Sequence, residues 1–165
     1  MSAVLKVENL SVSFSQDGRQ VPAVRGVSFE IGRGETVALV DSDSPTVPVP
    51  PIARGLAALE GPGRALVGPC DDGGYYLIAL GAVSPRGLGI LSGVPWSTGR
   101  VMEVTRARCA SLGLALEELP TWYDVDDADD LARLRTELEQ DPARAPRTSG
   151  WLRDHHHGVS ACASR

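Results

Sequence analysis

The chain has 165 residues, 42% of them apolar and 22% charged. These are ordinary proportions for one soluble globular domain, large enough to bury a core but small for an α/β enzyme. Lys and Arg number 16 against 21 Asp and Glu, a formal charge of -5, and the absence of a basic stripe argues against a nucleic-acid surface. No apolar run approaches the roughly 20 residues of a membrane span, and MSAVLKVENL carries no signal-peptide core. Cys70, Cys109 and Cys162 are scattered and odd in number. They fit neither a disulfide framework nor a zinc spacing, so a reducing cytoplasm is the expected location.

Two β-rich runs, 4–14 (VLKVENLSVSF) and 21–31 (VPAVRGVSFEI), flank the polar turn SQDGRQ, and their alternation predicts antiparallel strands with one solvated face. Gly32 and Gly34 lead into 35–40 (ETVALV), whose unbroken apolar run suits a parallel strand covered on both faces. A proline-rich loop over 41–51 precedes helical spacing at 52–59; 64–69 and 75–80 read as strands. Residues 99–114 predict a helix ending near Gly113, followed by a short strand in ALEELP. The segment 126–140 is a helix with Leu131, Leu134 and Leu138 on one face and an Asp127/Asp130 capping arrangement at its start. PRTSGWLRD supports a short terminal helix, and HHHGVSACASR reads as a loose tail. Its three adjacent histidines lack the rigid frame that a metal site needs.

The segments VENLSVSF and AVRGVSFEIGRGETVALV resemble the start of a peptide-importer ABC-transporter ATPase. That family continues into a Walker A loop, but here the chain runs on as DSDSPTVP, with no G-x-x-x-x-G-K-S/T anywhere. By the same resemblance Phe14 would stack on adenine, whereas a packed strand aromatic is the plainer expectation. From Asp41 to about Asp154 the chain resembles the C-terminal half of bacterial GT-A-superfamily glycosyltransferase-like proteins, whose layout is similar to small nucleotidyltransferases. The matching blocks are DSDSPTVP, VGPCDDGGYYLIAL, GVPWSTGRV, LPTWYDVDDADDLARL and, more weakly, APRTSGWLRD. The strand, glycine-rich basic loop and strand-helix units that open that family are not found here. The resemblance therefore implies an ABC-type start (1–40) joined to a GT-A-like C-terminal half (41–154), with a flexible tail at 155–165.

Four blocks carry chemistry. Asp41 and Asp43 end the ETVALV strand, where α/β ligands usually sit, and i, i+2 carboxylates suit Mg²⁺ or Mn²⁺. A turn stabilised by its own Asp and Ser side chains is the plain alternative. In DDGGYYLI, Asp71 and Asp72 offer acceptors, Gly73 and Gly74 allow close backbone approach, and Tyr75 and Tyr76 offer stacking faces. A hairpin turn is the alternative. The resemblance to cytidylyltransferases implies that Asp126 is a further metal ligand, although the same acids suit a helix cap. Trp96, Ser97 and Thr98 form either an acceptor-side wall or an N-cap with a buried tryptophan. Cys70 adjoins acids that disfavour its thiolate, so it is not expected to be a nucleophile.

These readings lead to an α/β fold: a mixed sheet of a GT-A-like (Rossmann-like) half domain, preceded by an N-terminal β-hairpin. The expected function is metal-dependent transfer from a nucleotide-activated small-molecule donor, of glycosyltransferase or nucleotidyltransferase type, weakened or abolished by loss of the nucleotide-binding half. The alternatives are a non-catalytic remnant or fusion product and, less favoured, an ABC-type ATP-binding module.

Overall fold

The structure is a computed structural model that describes residues 3–16 and 18–155; Cys162 and the histidines beyond His155 lie outside the described residues. Strands β1 (Ala3–Gln16) and β2 (Arg19–Gly32) form a two-stranded antiparallel hairpin that pairs with no other strand among the described residues. The remainder is a four-stranded mixed sheet made of β3 (Val37–Val40), β4 (Arg64–Pro69), β5 (Tyr75–Gly81) and β6 (Ala115–Glu118). Its order is β3-β5-β4-β6, with β5 antiparallel to both β3 and β4, and β4 parallel to β6. Among the described residues five α-helices complete it: α1 (Val49–Ala58), α2 (Pro85–Leu88), α3 (Val101–Leu112), α4 (Ala128–Gln140) and α5 (Pro146–Asp154). The mixed sheet and its leading hairpin are the architecture expected from the sequence. Among the described residues no helix is long and apolar enough to cross a membrane.

Beyond Arg64 the central strands β4 and β5 are apolar and almost wholly buried, as suits strands with helices on both faces. Ala65, Val67, Ile78 and Leu80 point into one core, closed by Ile90, Met102 and Cys109 and by Ile31, Val4 and Leu5 at the base of the hairpin. Leu66, Leu77 and Ala79 alternate into a second core with Leu59 and Leu119. A third cluster seats Leu134 and Leu138 of α4 against Tyr123, Ala145 and Leu152, with Leu131 packed on it. The predicted leucine face therefore anchors the C-terminal helix pair. Asp127 caps α4 by accepting from the Asp129 and Asp130 amides, while Asp130 reaches back to the Asp127 amide.

One strand departs from expectation. VALV is neither parallel nor doubly covered: β3 runs antiparallel to β5 at the sheet edge, with Leu39 and Val40 more than half exposed. An apolar run of four residues signals burial potential but not position within a sheet. Phe14 is also exposed, at 63%, so it is not a packed strand aromatic. The short helix α2 was not anticipated, although Ser84 and Pro85 carry its start signal: the Ser84 hydroxyl accepts from the Gly87 amide at 3.2 Å and Pro85 occupies the first turn.

The tightest steric demand lies between β4 and β5. Tyr76, fully buried and so not a stacking face for a ligand, lies across Gly68, where an added Cβ would come within 2.2 Å of its Cζ. Its hydroxyl donates to Pro120 O at 3.0 Å. We expect Gly68→Ala to destabilise the fold by at least about 1–3 kcal/mol, the usual penalty for overpacking. Tyr76→Phe, which loses only the hydrogen bond, should cost about 1 kcal/mol. Urea unfolding midpoints of the two variants check the order; equal losses would show that the ring does not depend on the missing methyl.

Candidate functional site

Four segments meet at one end of the sheet and enclose an open hollow of about 430 Å³. It is lined by Asp41 and Asp43 after β3, Asp72, Gly74 and Tyr75 from the β4–β5 turn, Trp96 to Thr98 and Val101 at the start of α3, and Asp124 after β6. Backbone hydrogen bonds set these positions. The Asp41 amide donates to Tyr76 O at 3.0 Å, and Asp43 O accepts from the Val125 amide at 3.0 Å. The second bond places Asp124 beside the Asp-Ser-Asp segment, although Asp124 lies 81 positions after Asp43 in the sequence.

The DDGG block is the β4–β5 hairpin turn. The Gly73 amide donates to Cys70 O at 3.2 Å and the Cys70 amide to Gly74 O at 3.0 Å. Gly73 adopts φ +92°, and a Cβ there would lie 2.3 Å from Gly99 O. Only glycine meets both demands. The Met102 amide donates to Gly73 O at 2.9 Å, so the turn is docked on the first turn of α3. Asp72 is steadied by the Gly74 amide at 2.7 Å.

The opposite wall is aromatic. Trp96, 53% exposed, meets Tyr75 edge to face with ring centroids 6.1 Å apart. The Thr98 hydroxyl donates to Pro95 O at 2.7 Å and accepts from the Arg100 amide, while Ser97 holds φ +61°. Of the two readings of Trp96, buried cap residue or site wall, its half-open position on the hollow matches the wall. Burial pushes the Tyr75 phenol up to about 12.

The electrostatics of the hollow are one-sided, since none of its lining residues is Lys or Arg. Burial raises the Asp41 carboxyl from 3.8 to about 6; the Ser44 hydroxyl, 2.9 Å away, opposes the rise, while Asp43 and Asp124 add to it. Asp124 is likewise raised, first by burial and then by Asp72, Asp126 and Asp43. The Cys70 thiol, buried beneath the acids, is held far above the ordinary thiol range by burial and then by Asp124 and Asp41. Four carboxylates in one hollow without a countercharge suit a divalent cation with hard oxygen preference.

Of the sequence-derived candidates, Asp41, Asp43, Asp72, Gly74, Tyr75, Trp96, Ser97 and Thr98 come together here. Gly73 shapes the turn without lining the hollow. Asp71 is exposed outside it and pairs with Arg133 at 3.1 Å. Asp126 is exposed too, its amide donating to Asp130 at the α4 cap; the inward acid of the YDVDD block is Asp124. The available signal was the register: Asp127 is the cap residue, so the chain has already turned away from the sheet by Asp126.

The chain is similar to known proteins in two distinct ways. It is 30% identical to a crystal structure from Desulfovibrio desulfuricans G20 named "putative nucleotide-diphospho-sugar transferase". The two superpose with a TM-score of 0.63 over 73% of this chain and 52% of that one. It is also 58% identical over 40 residues to the dipeptide transport ATP-binding protein DppD of Bacillus subtilis (strain 168), covering 24% of this chain and 12% of that protein. Over 37 residues it is 54% identical to the glutathione import ATP-binding protein GsiA of Escherichia coli (strain K12), covering 22% of this chain and 6% of that protein. The chain thus spans about half of the solved relative and only a small part of each ATP-binding protein. A family model described as "Uncharacterized protein conserved in bacteria (DUF2064)" matches residues 16–98, half of the chain, which therefore belongs to the DUF2064 family.

Proposed function

We propose that the hollow binds a nucleotide-activated sugar through a divalent cation, Mg²⁺ or Mn²⁺, and that the protein is a slow metal-dependent transferase of GT-A type. The observation that carries this reading is the convergence of Asp41, Asp43, Asp72 and Asp124 in a hollow with no basic lining residue, beside the exposed Trp96. Likeness to a nucleotide-diphospho-sugar transferase supports the donor class. We further propose units 1–40, 41–154 and 155–165. The hairpin pairs only with itself, which supports a boundary near residue 40, although the family match crosses it from residue 16. We assign the protein to the cytoplasm, in keeping with free thiols at Cys70 and Cys109.

Asp43 and Asp124 are the ligands we assign to the cation, with Asp41 assisting; Asp126, whose position the resemblance singled out, stays with the helix cap. When bound, the cation supplies charge neutralisation to a leaving diphosphate. The acids make that cation obligatory. A carboxylate and a phosphate charge 4 Å apart repel by about 1 kcal/mol in bulk water and about 4 kcal/mol near a protein surface, and the hollow presents four carboxylates. Trp96 and Tyr75 offer flat apolar surface to a base or sugar. The side-chain donors along this wall are few, because the Thr98 hydroxyl is already spent on Pro95 O. Few phosphate-holding donors mean weak positioning, so turnover should be slow. Missing donors also favour the second reading, a metal-binding remnant without turnover.

Three outcomes follow. Calorimetry with Mn²⁺ should show binding that weakens at least about tenfold in Asp43→Ala and in Asp124→Ala, in line with lost metal-site groups; unchanged binding in both variants would remove the site. A panel of nucleotide sugars with Mn²⁺ should release nucleoside diphosphate well below the roughly 10 per second of a median enzyme, and Asp43→Asn should stop it. Turnover that survives this variant would contradict the reading, and metal binding without any release would establish the remnant instead.

The pH dependence of stability has a defined sign. Asp41 is raised in the folded protein, so its protonated form stabilises the fold below about pH 4, and that contribution is lost as pH rises through about 6. Asp41→Asn mimics the neutral form. The melting temperature of the metal-free variant should therefore gain on wild type between pH 4 and pH 7. A constant difference across that window would show that Asp41 is not raised.

A further inference from the structure

Cys70 lies at the junction of β4 and the DDGG turn, and nothing in the transfer reading uses it. It is a free cysteine, 5% exposed, packed in the second core beside Tyr76 and Leu77. Its backbone is fully engaged: the amide donates to Gly74 O at 3.0 Å and the carbonyl accepts from the Gly73 amide at 3.2 Å. Asp71 and Trp122 tie the next step of chain to the β6 exit, the Asp71 amide donating to Trp122 O at 3.0 Å, and Cys70 itself bridges to Trp122. The Cys70 backbone is thus held by bonds that also order the DDGG turn carrying Asp72 and the Trp122 segment two residues before Asp124. The Cys70 Sγ and one carboxylate oxygen from each of these acids all lie within 4.8 Å of one another.

We infer that Cys70, Asp72 and Asp124 form a sulfur-and-oxygen site for a borderline divalent cation of the Zn²⁺ or Co²⁺ type, with Asp72 and Asp124 lining the acidic hollow and the buried Cys70 thiol behind them. The inference rests on reading the hollow as a divalent-metal centre and adds a ligand that such a centre does not require. Mg²⁺ and Mn²⁺ prefer all-oxygen surroundings, whereas a thiolate favours zinc-like ions. Three protein ligands with a fourth position open to solvent or substrate is the arrangement of reactive rather than structural zinc sites. Zinc takes sulfur at about 2.3 Å and oxygen at about 2.0–2.2 Å, so the three atoms would draw closer together around the ion. Asp72 keeps one oxygen uncommitted, since only Oδ1 accepts from the Gly74 amide. On binding, the S–H bond breaks, the proton passes to solvent and the thiolate electron pair forms the bond to the metal. No oxidant or other reactant is needed.

The test is Co²⁺ titration of the full chain followed by near-ultraviolet absorption, in parallel with Mn²⁺ calorimetry. A sulfur-to-cobalt charge-transfer band arises only from a coordinated thiolate, so the histidines at 155–157 do not imitate it. Wild type should show the band at about one equivalent. Cys70→Ser should lose it and bind Co²⁺ at least about tenfold more weakly, while retaining Mn²⁺ binding. Cys162→Ser should keep the band. If Cys70→Ser fails to fold by circular dichroism, Asp124→Asn decides, because it retains the thiol and should still lose the band. Cobalt bound without a band, or a band that persists in both Cys70→Ser and Asp124→Asn, overturns the thiolate site while Mn²⁺ binding leaves the hollow reading intact. Absence of binding by both metals overturns the two together.

Discussion

Tyr76 lying across Gly68 is the contact on which the rest of this end of the molecule depends. A side chain on residue 68 would occupy the space of the ring, so the absence of one lets β5 press an aromatic flat over β4. From there the tyrosine acts in three directions. Its hydroxyl holds Pro120 at the exit of β6, its carbonyl accepts from the Asp41 amide at the exit of β3, and its ring packs beside Cys70 in the second core. The three segments that carry acids are therefore positioned from one buried residue. Large apolar area held in a single rotamer makes a stiff reference point.

A second set of contacts fastens the C-terminal helices to the same region. Glu137 of α4 accepts from the Thr46 hydroxyl at 2.8 Å and from the Tyr123 hydroxyl, and it pairs with Arg144. Arg144 also donates to Thr46 O at 3.2 Å. Arg133 stacks 3.8 Å above the Tyr123 ring and reaches Asp71. Each group in this partly buried network satisfies another, and removing one member leaves its partners desolvated and unpaired. The effect is to pin the loop after Asp43 and the strand exit before Asp124 to one helix. A DDADDLARL sequence thus serves first as a cap and latch, and the acids next to it gain their placement from that latch.

Much of this was legible in the sequence because local rules sufficed. Alternation in the first 32 residues marked the hairpin, leucine spacing marked the buried face of α4, and Gly113 marked the end of α3, where it takes the left-handed conformation. The tight DDGG block was also legible, since paired glycines between two apolar runs announce a turn. What remained hidden depends on tertiary pairing. Whether VALV lies centrally or at an edge follows from its single neighbour β5, not from its own four residues. Which acid of YDVDD faces inward follows from one backbone bond, Val125 to Asp43. Trp96 looked equally suited to burial or to a site wall, and only the edge contact with Tyr75 separates those.

The distribution of charge gives the site its character. A net charge of -5 spread over a surface would be unremarkable solvation. Here several arginines are committed elsewhere: Arg106 holds Glu118 through two bonds of 2.8 and 2.9 Å, Arg144 holds Glu137, Arg133 holds Asp71, and Arg100 holds Glu103. The acids of the hollow receive none of them. Ser44 and the Gly74 amide offer only neutral hydrogen bonds to Asp41 and Asp72, and burial with mutual repulsion lifts Asp41 and Asp124 above ordinary carboxylates. A purely structural cluster would relieve this repulsion with an arginine, as the outer pairs do. Left unrelieved, the same repulsion between carboxylates would become attraction for a cation from solution, which is the physical basis of the proposed metal reading.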